Sequence, residues 1–319
     1  MAPLNSLLFG KKIKNPIILA SGIIGMTKAS LERVCDEGAG AVIAKSLTLE
    51  PRKGHAGPNI VEVEGGILNA MGYPNPGIDE GIKEFGDWSR KDEALIISIV
   101  GKNPSEFEQL AQKVEENKKN LGATAIEAVI SCPHTPGFGT MAGQGTPESI
   151  TQITGVIKDN CTLPLIIKLS PSIPGEGKAA KAAEEAGADA VNMGNSLGPG
   201  MKIDINRKVP VLGFGVGGLT GPAIKPIIVR SVFDIYDAVD KIPIIGTGGI
   251  TNGADAIEMM MAGANFVSVG SAAYFRGPSV FGQIANEMQD WMKKSDYSKV
   301  ESLVGIAHEE WKKCKTDIV

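Results

Sequence analysis

Aromatic residues are scarce in this 319-residue chain, at 5%. Histidine appears only three times, at His55, His134 and His308, all far apart. The four cysteines, Cys35, Cys132, Cys161 and Cys314, form no C-x-x-C pair. These shortages argue against a zinc site or an iron–sulfur cluster built from this chain alone. Cysteines so few and so spaced do not read as a disulfide framework. No block of Lys and Arg stands out, and the net charge is −4, so nucleic acid gets no electrostatic welcome. No stretch approaches the roughly 20 apolar residues of a membrane helix. The opening MAPLNSLLFGKK has neither the apolar core nor the cleavage site of a signal peptide. A soluble, cytoplasmic protein is the expectation.

Glycine, by contrast, is abundant, with 40 residues, and it recurs in order. A Gly-Ala pattern followed by an apolar run appears as EGAGAVIAKS (37–46), LGATAIEAVIS (121–131), EAGADAVNMG (185–194) and MAGANFVSVG (261–270). A helical pattern precedes each, so the Gly ends a helix and the chain turns into a strand. Four more apolar runs interleave: NPIILASG (15–22), DEALIISIVG (92–101), LPLIIKLSP (163–171) and IPIIGTGG (242–249). Eight short, β-branched strands with helices between them predict a (β/α)8 TIM barrel, one domain over 1–319. A doubly wound sheet is the alternative, but no G-x-G-x-x-G follows the first strand. Two connections, about 47–80 and 195–225, exceed simple turns. Both follow a strand, so both lie at the C-terminal face where barrel active sites form.

The residues just past each strand are therefore the candidates. They include Ala20, Ser21 and Gly22; Lys45 and Ser46; Ser98; Ser131 and Cys132; Lys168; Asn192, Gly194, Asn195 and Ser196; Thr247, Gly248 and Gly249; Gly270 and Ser271. The loops after strands 7 and 8 suit phosphate binding through backbone N–H groups, and GGLTG (217–221) adds donors, Gly218 among them. The bland reading makes these glycines tight turns. Lys45 and Lys168 each end an apolar strand and face the barrel mouth. They read either as snorkelling rim residues or as partners of an anionic ligand. Flavin mononucleotide would use both features, glycine loops for its phosphate and a cation beside its ring. Cys132, in ISCPHTPGFGTMAGQ (130–144), reads as a buried filler or as a thiol base on a loop lid.

The chain resembles the dihydroorotate dehydrogenase family over nearly its whole length. The motifs are NPIILASG, Lys45-Ser46, GGILNAMGYPNPG (65–77), ISCP (130–133), IIKLSP (166–171), GMKIDI (200–205), GGLTGPAIKP (217–226) and IIGTGGI (244–250). It is closest to the soluble, NAD-linked class. CPH and AGQ in the 132–144 loop also resemble the pyrimidine-reducing domain of dihydropyrimidine dehydrogenases. The resemblance implies FMN, with Cys132 as the base that takes a proton from C5 of dihydroorotate while C6 passes a hydride to flavin N5. It implies that Lys45, Asn69, Met71, Gly72, His134, Asn195 and Ser196 hold the substrate. Ala20, Ser21, Gly22, Lys45, Ser46, Ser98, Lys168, Gly218, Thr247, Gly248, Gly249, Gly270 and Ser271 would hold the cofactor.

The family pattern around the cysteine is Asn-(apolar)-Ser-Cys-Pro-Asn, and here Val129 and His134 stand in place of the asparagines. Ser98 stands where the soluble class often has Asn. A different dihydropyrimidine or other unsaturated ring is thus a second substrate reading. A non-redox phosphate-binding barrel and a catalytically idle flavin subunit are two further readings. The partners implied are the small substrate and a separate FAD and iron–sulfur subunit, in a homodimer or heterotetramer, with fumarate as an alternative acceptor. Beyond about residue 281 the spacing predicts helices, with Trp291 and Trp311 as core anchors and His308 in packing or solvent. Cys35, Cys161 and Cys314 carry no motif and read as structural.

Overall fold

The computed structural model describes residues 4–131, 135 and 137–316. Eight parallel strands close in chain order into a barrel. They are β1 Ile17–Leu19, β2 Ala41–Ile43, β3 Ala94–Ile99, β4 Ala125–Val129, β5 Leu165–Leu169, β6 Ala190–Met193, β7 Ile244–Thr247 and β8 Phe266–Val269. Each coincides with one of the eight apolar runs. Helices cover the outside: α1 Lys28–Asp36, α2 Ile78–Phe85, α3 Pro104–Leu121, α4 Pro147–Asn160, α5 Glu176–Glu185, α6 Lys225–Ala238, α7 Gly253–Met261, α8 Ser271–Arg276, α9 Val280–Lys294 and α10 Ile306–Thr316.

The Gly-Ala repeat has the predicted function. Gly38, Gly122, Gly187 and Gly263 all sit at positive φ within two residues of a helix end. Only glycine takes that turn without strain, and it drops the chain directly into β2, β4, β6 and β8.

The two-residue period of the strands sorts the barrel. Outward residues such as Leu19, Leu95, Ile97, Leu165, Ile167 and Val267 join the helix faces in one continuous apolar shell. Inward residues change along the axis. At the N-terminal end they are hydrocarbon: Ile18, Ile43, Ile96, Ile166, Ile245 and Phe266. A hairpin of Ser6–Leu8 and Lys11–Ile13 plugs that end with Leu8 and Ile13. Two residues further along, the inward positions of five strands turn polar, and there lie Ser98, Glu127, Lys168, Asn192 and Ser268. The barrel is thus sealed below and chemically furnished above.

The two long connections are not independent loops. Leu197–Gly200, Gly217–Thr220, Gly66–Asn69 and Ile60–Val63 form one antiparallel sheet in that order, roofing the C-terminal end. Gly218 pairs with Asn69 across it. The same connections meet again where His55 stacks on Phe214 with ring centroids 3.9 Å apart.

The C-terminal helices pack on the barrel as expected, with one correction. Trp291 lies against the core and stacks on Tyr297, but Trp311 is 49% exposed. The inward anchor of α10 is instead His308, 4% exposed, which stacks on Phe233 and bonds the Ala262 carbonyl through Nε2 at 3.0 Å. Among the described residues, no helix is long and apolar enough to cross a membrane. No group of three or more His, Cys, Asp or Glu among them is placed to hold a metal.

Candidate active site

A cavity opens between the polar upper layer of the barrel and the roof sheet. Most of the sequence candidates meet there. Ala20, Ser21 and Gly22 follow β1, Lys45 and Ser46 follow β2, and Lys168 projects from β5. Asn195 and Ser196 follow β6, Thr247 to Gly249 end β7, and Gly270 and Ser271 end β8. Asn69, Met71 and Gly72 descend from the roof. All of these line the same cavity.

Four described candidates, Ser98, Ser131, Asn192 and Gly218, do not line it. Ser98 is fully buried one layer below, with its Oγ 2.9 Å from Ser46 Oγ. It braces the floor and does not line the cavity. Gly218 belongs to the roof sheet, where its carbonyl accepts from Asn69 Nδ2 at 3.2 Å. That bond turns the Asn69 amide toward the sheet and fixes its orientation. Cys132 and His134 lie outside the described residues. The residues flanking that segment, Ser131 and Thr135, are buried; Thr135 lines the cavity, and Ser131 Oγ pairs with Asn195 Nδ2 at 3.1 Å.

The cavity lining is mixed: Lys45, Asn69, Asn195 and Lys168 supply donors and charge. Val129, paired with Lys168 across the strands and packed with Val100 and Phe138 against Tyr73, supplies an apolar patch among them. Tyr73 and Phe138 rings lie 5.5 Å apart, and the Arg52 guanidinium covers Phe138 at 4.8 Å. Lys45 Nζ lies 5.4 Å from the Tyr73 ring, within cation–π range.

Val129 lines the cavity as an apolar wall, while Tyr73, Thr135 and Tyr274 are among the lining residues that escaped assignment from sequence. Beneath them, the fully buried Glu127 also went unassigned. A signal for it existed. Glu127 is the one charge in the apolar run AIEAVI, and the two-residue period places it on the inward face.

The turn after β7 is clamped from behind. Asp255 accepts from Lys225 Nζ at 2.7 Å, Thr251 N at 2.8 Å and Thr251 Oγ1 at 2.6 Å. Burial alone pushes the Asp255 carboxyl up, but the hydrogen bonds from Lys225 and Thr251 outweigh it and hold the group below its ordinary value of 3.8. A carboxyl depressed by folding contributes stability above its unfolded value, and loses it as pH falls through the folded one. Asp255→Asn is therefore expected to cost about 1–3 kcal/mol at neutral pH. The melting-temperature gap to the wild type should close as the pH is lowered below 3.8; a gap constant down to acid pH would deny the carboxylate this role.

Known proteins share this architecture. Residues 3–292 match the family described as "Dihydroorotate dehydrogenase". The "Dihydroorotate dehydrogenase B (NAD(+)), catalytic subunit" of Pyrococcus abyssi is 44% identical over 300 residues, which is 94% of this chain and 97% of that one. The protein of the same description from Methanocaldococcus jannaschii is 43% identical over 304 residues, covering 94% and 96%. Among solved structures, that of DHODH from Eimeria tenella in complex with ferulenol matches with a TM-score of 0.81. It covers 96% of this chain and 88% of that one at 20% identity, so it speaks to the fold alone. A match across most of the chain, with relatives above 40% identity at nearly full length, leads to one conclusion: this chain belongs to the dihydroorotate dehydrogenase family of oxidoreductases.

Proposed function

We propose that the protein oxidises dihydroorotate to orotate with FMN as its resident cofactor. The observation that carries this reading is the convergence of Lys45 and Lys168 on one cavity that the glycine turns 247–249 and 270–271 also line. The donor set fits FMN. Backbone at Gly248, Gly249, Gly270 and Ser271 would hold the phosphate, and Ala20, Ser21, Gly22 and Ser46 would flank the ring. Lys168 would supply the cation that an electron-rich flavin edge needs. When bound, FMN supplies the acceptor for the hydride that leaves C6 of the substrate.

The chain's own residues do the rest. Asn69 and Asn195 offer amides to the ring's N–H and C=O groups, with backbone at Met71 and Gly72 and the Ser196 hydroxyl beside them. Lys45 balances the substrate carboxylate. Cys132, as thiolate, takes the C5 proton, so that C5 and C6 are left joined by a double bond. His134 offers a further hydrogen bond from the same segment. The description "catalytic subunit" of the relatives supports a separate FAD and iron–sulfur subunit as electron acceptor, in a heterotetramer. Pyrimidine biosynthesis in the cytoplasm, from one FMN-binding domain over 1–319, completes the reading.

The buried Val129 favours a second reading for the substrate. The Val129 side chain returns no hydrogen bond, and an unmet ring N–H or C=O against it costs about 1–3 kcal/mol. A reduced ring with hydrocarbon on that edge would fit better.

One experiment tests both. The purified protein is expected to be yellow, and anaerobic dihydroorotate is expected to bleach its flavin band. A protein that neither carries nor takes up FMN overturns the cofactor reading. A yellow protein that dihydroorotate leaves yellow, and another dihydropyrimidine bleaches, overturns the orotate assignment in favour of the second reading.

A further inference from the structure

Glu127 is 0% exposed, inside the barrel, directly beneath the cavity. A hydrocarbon side chain of similar volume there would avoid the cost of burying a charge. Its surroundings are built to keep it. Ser21 Oγ donates to Oε1 at 3.1 Å and Ser98 Oγ donates to the same oxygen at 3.2 Å. Asn192 Nδ2 donates to Oε2 at 2.6 Å. Every one of these contacts makes Glu127 an acceptor, the pattern of an ionised carboxylate.

The fourth neighbour is Lys168. Its Nζ lies 3.7 Å from Oε1 and donates to Ser21 Oγ at 2.9 Å. Ser21 has one hydroxyl hydrogen, so the direction of the chain is fixed. Lys168 donates to Ser21, and Ser21 donates to Glu127. On the far side Thr247 Oγ1 donates to Asn192 Oδ1 at 2.7 Å, which orients the Asn192 amide toward Glu127. Both ends of this network, Ser21 with Lys168 and Thr247, line the cavity.

We propose that Glu127 is a positioning residue: it is the buried counter-ion that holds Lys168 at the cavity floor and limits how much positive charge the bound cofactor feels. This rests on the flavin reading above, since the charge matters through the group it faces. Reduction places negative charge on a flavin, and a nearby cation favours that state. A carboxylate behind the cation offsets part of its effect. The pair therefore sets the midpoint potential, while the serine relay sets where Nζ sits.

The test is the midpoint potential of the bound flavin, by anaerobic reductive titration against a reference dye. Glu127→Gln keeps the shape and removes the charge. The expected result is a potential moved to less negative values, with the reduced-to-oxidised ratio at fixed potential raised at least tenfold. A ratio within threefold of the wild type, or a shift to more negative values, overturns the proposal. A second measurement does not need that variant to fold. Lys168→Met strands the carboxylate, and Glu127→Gln with Lys168→Met removes both charges together. The double variant is expected to melt above Lys168→Met alone. A double variant that melts no higher than Lys168→Met denies the charge pair. A wild type without flavin removes the cofactor reading and the role in potential with it, while the melts still judge the pair itself.

Discussion

Cys132→Ala is expected to lower the rate of dihydroorotate oxidation by about 10²–10⁴-fold while leaving the flavin content unchanged. General-base catalysis of this kind needs a group that is deprotonated at working pH and placed at the C5 proton. The other cysteines do not qualify. Cys35 is buried on the inner face of α1, and burial pushes its thiol up to about 12. Cys161, buried after α4, is likewise pushed up by burial. Cys314 is exposed on α10. In the sequence Cys132 alone comes directly after a barrel strand, and of its described neighbours Ser131 bonds Asn195 and Thr135 lines the cavity. Cys132→Ser is expected to fall nearly as far, because a serine hydroxyl holds its proton at neutral pH. Single-turnover bleaching of the flavin checks this directly. Bleaching of Cys132→Ala at the wild-type rate would place the base elsewhere.

Gly194→Ala is expected to cost about 3–5 kcal/mol of stability and to empty the cofactor site. Gly194 ends β6 at a φ of +134°, where a side chain is strained in any surroundings. The space is also closed: a Cβ there would lie 1.6 Å from the Thr247 carbonyl oxygen. Both the neighbour and the strand behind it are backbone, so relief requires β6 and β7 to part at their cavity ends. Those ends carry Asn195, Ser196 and Thr247 to Gly249. Thermal melting and flavin absorbance of the variant read the two losses. A variant that melts with the wild type and stays yellow would show that the strands can separate without harm.

The barrel was legible because its signal is local and repeated. Eight apolar runs, four of them announced by Gly-Ala, needed only helix and strand periodicity to be placed, and closure in chain order follows from alternating units. That strand-end residues would line the cavity was legible for the same reason: the fold dictates which end is open. The roof was not. Asn69 and Gly218 are 149 positions apart, and nothing in either segment states its partner or register. Ser98 shows the limit of reading strand ends alone, since a single layer of depth separates a lining residue from a brace. Trp311 shows another. A large aromatic on a helix suggested an anchor, but the α10 face that meets the barrel presents His308.

The roof sheet has a consequence for how the protein becomes active. The connections after β2 and after β6 each pair two strands of their own, and the central pairing of Gly66–Asn69 with Gly217–Thr220 forms only when both are present. A pairing of such high sequence separation is slow to find, because loop closure must precede its reward. During synthesis, β2 and Lys45 emerge long before the segment that covers them. The barrel's early half is thus made without its lid sheet, and the ligand cavity exists only once the chain beyond Thr220 has been delivered. Substrate binding is in this way timed to the end of folding.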